Sequence, residues 1–343
     1  MEAQKRRPWR RWVVLALLIL GCALGGGFAG LGIAGVPAAR PDITIAAERL
    51  IEAPLFVLPQ PFGPVYLVNT LPTLAFTVIV LVILAYFTHR SFVKSWQTDL
   101  VPKGLGNLME AYLELIYNLT ESASGSKWAP LIFPWFATIM TYVLLANLLK
   151  LVPGFESIGL LRAASPGHPL QQLGPFANVL PAEVTNGFAL IPFVRGVSLD
   201  LNFTVALAII SVVMTQVVGV RAQGLGYFSK FLNVRNLFKV PFFGAMDVLV
   251  GLLELISELA KILSFAFRLF FNMFAGIILV AVVASLLGLI TIVPSMLYMF
   301  EFFIGIIQAF VFGMLTMVFM SMATRGHGGE EEHEAAPAGA REI

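Results

Sequence analysis

The residues able to do chemistry crowd into one stretch, GAMDVLVGLLELISELAKILSFAFRLFFNMFAGIILV. Within it Glu254, Ser257, Glu258, Lys261, Ser264, Arg268 and Asn272 lie at offsets of 3, 4, 7, 10, 14 and 18 from the first. At 100° per residue all seven share a helical sector of roughly 120°, and nearly everything else on the helix is Leu, Ile, Phe, Val or Ala. A narrow polar stripe on an apolar cylinder must face water, a channel or a partner.

Arg268 is the sharpest element of the stripe. It follows SFAF and precedes LFFNMFAG, so apolar residues on both sides keep it from reaching an interface. Placing an arginine at mid-membrane depth costs about 2.5–3.5 kcal/mol on insertion scales. A guanidinium does not shed its proton to escape that cost, so it needs a negative partner or a hydrated path. Glu254 and Glu258 are roughly 15–21 Å away along the same helix and cannot neutralise it. The bland alternative is a structural ion pair with a neighbouring helix.

The other acid at this depth is Glu301, followed by Gly305 and Gln308 at offsets of 4 and 7, all on one helical face. A carboxyl in a dry setting can take up and release protons near neutral pH, which suits proton transfer. Two plainer readings stand beside it: Glu301 as a solvated group at the membrane edge, and Gln308 as an amide packing helix to helix. Lys150 is expected to snorkel to the outer interface. His168, His327 and His333 read as exposed and idle.

These residues sit in a chain of 343 residues that is 58% hydrophobic and 12% charged, with a mean hydropathy of +0.86. A soluble protein carries roughly twice that share of charge. The expectation is an all-α, polytopic membrane protein. A formal net charge of +2 gives no reason to expect a nucleic-acid partner. The one cysteine, Cys22, excludes a disulfide framework and a cysteine metal site. No metal or cofactor is expected, and no phosphate-binding loop is visible.

Long apolar runs fix the order of spans. Residues 1–36 combine a basic cluster, Lys5, Arg6, Arg7, Arg10 and Arg11, with an apolar run from Trp12 to Val36, read as a retained signal anchor or a cleaved signal peptide. Residues 37–70 then lie outside. Spans follow at about 71–87, 130–152 and 201–220, with an amphipathic surface helix in GLGNLMEAYLELIYNLTESASGSKW carrying Leu108, Ala111, Tyr112, Leu115 and Ile116. The NLT sequon inside it is discarded, because this side is cytoplasmic. The Pro- and Gly-rich loop 153–199 is placed on the outer surface, with a short helix after Leu180.

From about Phe243 to Leu287 the chain is helical with no internal proline, roughly 65 Å of helix, so it must tilt strongly or break. A turn at 288–294 leads to a last long helix, 295–323. The tail 325–343 is polar, of low complexity and expected to be disordered. Basic loops containing Lys94, Arg221, Lys230, Arg235 and Lys239 alternate so that both termini lie in the cytoplasm of a cell membrane.

The segment RLFFNMFAG, Arg268 to Gly276, together with QAFVFGMLTMVFMSMA from Gln308, resembles the signatures of subunit a of F-type ATP synthases. VPKGLGNLMEAYLE, ANLLKLVPG and SLDLNFTVALAI match in the same order, so the resemblance covers residues 71–324. It implies two long tilted helices forming a hairpin against a partner ring of c subunits, a b-subunit peripheral stalk, and an F1 head that carries all ATP chemistry. The chain itself would be no enzyme but a proton-translocating stator with two offset half-channels.

By the same resemblance Arg268 faces the ring carboxylates, with Asn272 and Gln308 nearby. Glu301 falls in the outer half-channel, and Asp200 and Asn202, expected as half-channel lining, match polar residues at the outer end of the fourth span. Glu254 falls in the cytoplasmic half-channel, and Glu258, Lys261 and Ser264 of the polar stripe are expected as half-channel lining. Ile277 stands where relatives often carry Glu or His, which leaves Glu301 alone or with water. A secondary transporter with an intramembrane Arg/Glu site is the alternative, although no internal repeat is present.

Overall fold

The computed structural model describes residues 46–325 apart from 58, 61–62, 97–103, 153–155, 157, 166, 174–175, 180–183, 232–240 and 288–291. The N-terminal segment with Cys22 and the tail with His327 and His333 lie outside the described residues. Six α-helices account for most of the rest: α1 (Thr70–Trp96), α2 (Leu105–Ser124), α3 (Ala129–Leu149), α4 (Leu201–Gln223), α5 (Pro241–Leu287) and α6 (Ile292–Thr324). Five of them, all but α2, contain stretches long and apolar enough to cross a membrane. Helices suit that setting because every backbone N–H and C=O inside the span is bonded within the element itself.

Helix α5 is unbroken over 47 residues, about 70 Å, so the broken alternative does not hold. Helix α6 begins earlier than expected and takes in Pro294. A proline in the first turn is tolerated because its missing N–H would have had no partner there. Helix α3 also keeps Pro134 in its second turn. Gly125, at φ 76°, ends α2 and donates its N–H to the Glu121 carbonyl at 2.8 Å.

The amphipathic α2 buries a different stripe from the one expected. Ile116 and Thr120 are buried and Tyr112 is half-buried, whereas Leu108 and Leu115 are exposed. The Thr141 hydroxyl donates to the Ala137 carbonyl at 2.6 Å. Tyr112 is therefore the donor in its 3.0 Å bond to Thr141. Burial pushes the Tyr112 phenol up, and the bond to Thr141 pulls it back in part.

The loop between α3 and α4 is not purely irregular. Strand β3 (Gly159–Ala164) pairs antiparallel with β6 (Gly187–Pro192), and β4 (Leu170–Leu173) with β5 (Phe176–Val179). The helix expected after Leu180 is absent from the described residues there; Gly187–Pro192 is extended. His168 is half-buried and exchanges backbone hydrogen bonds with Phe188, so it is not the exposed group anticipated. A small hairpin of β1 (Phe56–Val57) and β2 (Pro64–Val65) precedes α1.

Packing divides the chain into two units. The first comprises Met1–Thr77, Leu145–Asp200 and Phe270–Ile307; the second comprises Val78–Leu144, Leu201–Leu269 and Gln308–Ile343. Their interiors differ in kind. The second unit has an apolar core of Ile139, Val143, Leu207, Ala208, Phe265, Ala266, Leu269, Ala309 and Phe312. Phe265 stacks on Phe319 with ring centroids 5.6 Å apart and packs beside Phe312 at 5.2 Å. Small residues allow this closeness: Ala266 and Ala309 are fully buried, and a Cβ on Gly313 would lie 2.8 Å from Met140 Cβ. The first unit buries Lys150, Arg195, Asp200 and Glu301, four ionisable groups that must find partners inside it.

Candidate functional site

In the second unit the polar stripe of α5 straddles the margin between its packed and exposed faces. Glu258 is buried and holds the Lys261 ammonium at 2.9 Å, which also sits 4.9 Å over the Phe319 ring. Glu254 is half-buried, and Ser257, Ser264 and Arg268 are exposed. The pattern follows from helix geometry: residues 258, 265 and 269 point one way, and 257, 264 and 268 are rotated from them by roughly 100°.

Arg268 therefore lies on the outer surface of this chain, among exposed Leu263, Phe267 and Phe271. Among the described residues no carboxylate forms an ion pair with it. The structural pair offered as the bland alternative is thus not found there. Gln308, in the same unit, is buried.

The first unit holds Glu301, which is 4% exposed, so it is not a solvated group at a membrane edge. Its Oε1 lies 2.6 Å from the Lys150 ammonium, and both side chains are almost completely buried. Lys150 does not snorkel outward as expected. It follows the last residue of α3 and folds inward under the segment 195–200, where a Cβ on Gly196 would lie 3.3 Å from Lys150 Cβ. On α5, Gly276 leaves room for the carboxylate: a Cβ there would stand 3.1 Å from Glu301 Oε1.

Polar bonds continue around this pair. Ser198 Oγ donates to Asn147 Oδ1 at 2.7 Å, and Asn147 Nδ2 donates to the Gly305 carbonyl at 3.2 Å. This chain ties α3, the turn before α4 and α6 together through one buried amide. The Thr70 hydroxyl donates to Asp200 Oδ2 at 2.8 Å, and Glu156 accepts from the Gly196 N–H at 3.1 Å. Asp200 is buried, whereas Asn202 is exposed and Asn272 half-buried.

The structure thus adds Asn147, Ser198 and Thr70 to the residues singled out in the sequence and gives Lys150 a buried partner in place of the interface. A signal for two of them was present: Asn147 and Lys150 stand three apart at the end of an apolar span, hence on one helical face. Their partners in distant segments were not legible. Among the described residues no group of three His, Cys, Asp or Glu side chains is placed to hold a metal.

Residues 73–321 match the model of the family described as ATP synthase A chain. The chain is 30% identical over 267 residues to ATP synthase subunit a of Mycobacterium bovis, covering 77% of this chain and 89% of the relative. It is 28% identical over 237 residues to the same subunit of Acidothermus cellulolyticus, covering 68% and 70%. The subunit of Campylobacter jejuni is 29% identical over 248 residues, covering 72% and 85%. With five apolar helices, a buried acid and an arginine on a membrane-spanning surface, this chain belongs to the ATP synthase A chain family, the multi-pass, non-catalytic, proton-translocating membrane subunit of that complex.

Proposed function

We propose that residues 71–324 form the stator half of a rotary proton path, with Arg268 facing a ring of c subunits. The observation that carries this reading is the position of Arg268 itself. A permanent positive charge is exposed on a membrane-spanning helix, surrounded by exposed Leu263, Phe267 and Phe271, with no acid paired to it among the described residues. Lipid is a poor neighbour for such a charge, so a partner surface that is apolar and carries carboxylates fits it best.

In this mechanism a proton enters from outside by way of Glu301, with Asp200 and Asn202 at the outer end, and neutralises a ring carboxylate. The neutral site turns into lipid, which an ionised one does only at high cost. Near the end of the turn it reaches the cytoplasmic half-channel at Glu254, flanked by Glu258, Lys261 and Ser264, and releases its proton. Arg268 holds the emptied carboxylate in its charged form between the two half-channels, and its own charge repels a direct passage of protons. Asn272, one turn along α5, and Gln308 on α6 supply hydrogen bonds near the guanidinium.

The long helices α5 and α6 form the hairpin against the ring, with a b-subunit stalk and an F1 head completing the assembly. Residues 1–36 act as a signal anchor or signal peptide, residues 37–70 lie outside, and the polar tail 325–343 ends in the cytoplasm, as the termini of a bacterial cell-membrane subunit.

The test is ATP-driven proton pumping and passive proton leak in vesicles carrying the assembled complex with Arg268→Ala. Pumping is expected to disappear while assembly persists, and leak to rise. Unchanged pumping would sink the mechanism.

A further inference from the structure

The buried Lys150–Glu301 pair has no role in the mechanism above beyond the carboxyl of Glu301. Yet Lys150 is a poor candidate for simple packing. Burying an ammonium and a carboxylate together removes both from water, and such pairs often stabilise a fold less than well-packed apolar residues of the same volume would. A lysine that reaches back into the protein rather than outward to water is costly unless the pair does something.

We propose that Lys150 is a positioning residue for proton exchange, the counter-charge that holds Glu301 ionised and aimed at the gap left by Gly276; this rests on the reading of Glu301 as the outer half-channel acid. Three observations converge. The ammonium is 2.6 Å from Oε1, with both side chains almost fully buried. Gly276 presents no side chain, so α5 approaches that same oxygen directly. Between Arg268 and Leu287, α5 carries no acid and no histidine, and Ile277 beside the gap is apolar. A second titratable partner for Glu301 therefore cannot come from that part of α5, and α3 supplies one of opposite sign through the residue at its end.

The proton balance is simple. At rest the pair is ammonium plus carboxylate, with no net charge. An arriving proton forms an O–H bond on the carboxylate while Lys150 keeps its three N–H bonds, so the pair carries a charge of one. Handing the proton on breaks that O–H bond and restores the neutral pair. A nearby cation favours the ionised carboxylate, and without it a buried carboxyl retains its proton. In the same unit, α6 contributes Tyr298, the loop after α3 Glu156, and the segment before α4 Arg195 and Asp200, whereas Glu254, Glu258, Lys261 and Arg268 of α5 belong to the second unit. Tyr298 stands three residues before Glu301 on α6, hence on the same side of that helix. Arg195 donates from Nη1 to the Ala46 carbonyl at 2.9 Å, and Asp200 accepts from Thr70.

The experiment is the pH profile of ATP-driven pumping by the assembled complex in vesicles, with K150Q compared against K150R. In K150Q the pH of half-maximal pumping is expected to move upward by about one unit or more, because outward release then waits for a less acidic lumen. K150R, which keeps the charge, is expected to leave the profile in place. An unchanged profile in an assembled K150Q complex overturns the proposal, as does an equal shift in K150R. Should K150Q not assemble, K150M serves, an uncharged side chain of similar length for which the same upward move is expected; an unchanged profile in it overturns the proposal. If R268A abolishes pumping while K150Q leaves the profile unmoved, the half-channel reading stands and Lys150 alone is removed from it. If R268A pumps normally, the reading beneath both fails.

Discussion

The ammonium of Lys150 lies 2.6 Å from Oε1 of Glu301, joining the end of one span to the interior of the last helix across 151 residues of sequence. Around that contact the first unit is built of polar bonds, whereas the second is held by aromatic and small apolar side chains. The difference decides what each unit tolerates, and mutations in the two should fail in different ways.

Gly276 should be sensitive to size through Glu301. A Cβ there meets the carboxylate oxygen at 3.1 Å, and that oxygen is the end of a side chain able to give by a few tenths of an ångström. Gly276→Ala is expected to assemble and to pump several-fold more slowly than the wild type. Gly276→Val, which cannot be accommodated by so small a shift, should lower pumping by a further order of magnitude or more with assembly of the complex retained. Pumping rates in vesicles, normalised to assembled complex, check both.

Gly313 answers to size for a different reason. A Cβ there stands 2.8 Å from Met140 Cβ and 2.9 Å from the Phe136 ring. Met140 Cβ is fixed to the α3 backbone, so the helices must separate. Gly313→Ala should destabilise the subunit by about 1–3 kcal/mol, the range of overpacked cores. Thermal melting of the detergent-solubilised complex measures it, and pumping per assembled complex should change little.

Asn147 carries the chain of donors from Ser198 to Gly305. Asn147→Leu keeps the volume and removes both bonds, which leaves the buried Ser198 hydroxyl without its acceptor. The expected cost is about 1–3 kcal/mol for the unsatisfied group. The double variant Asn147→Leu with Ser198→Ala should recover part of that loss, because no buried hydroxyl then lacks a partner. A double-mutant cycle on melting temperature is the measurement.

Much of the architecture was legible without coordinates, for a physical reason. In a bilayer the solvent itself selects long apolar runs, so five spans, the long helical stretch before the last span and the amphipathic α2 could be read from hydropathy and the 3.6-residue period, whereas the absence of a break in that stretch came from the structure. The polar stripe was legible in the same way, since seven residues at helical spacing share a face whatever surrounds them. The antiparallel strand pairs of the α3–α4 loop were not, because short strands leave a weak local pattern and depend on partners far along the chain.

What the sequence by itself determined is therefore the type and order of the elements, and the identity of Arg268 and Glu301 as charges that apolar surroundings make costly. Tertiary structure decided which way each charge turns. Arg268 is left on the outer surface of the chain, since helix rotation sends residues 265 and 269 into the core and residue 268 away from it. Glu301 is turned inward to Lys150, a residue whose local sequence pointed it toward water. Local periodicity assigns a face to a side chain, but only the packing of distant segments decides whether that face meets lipid, water or an opposite charge.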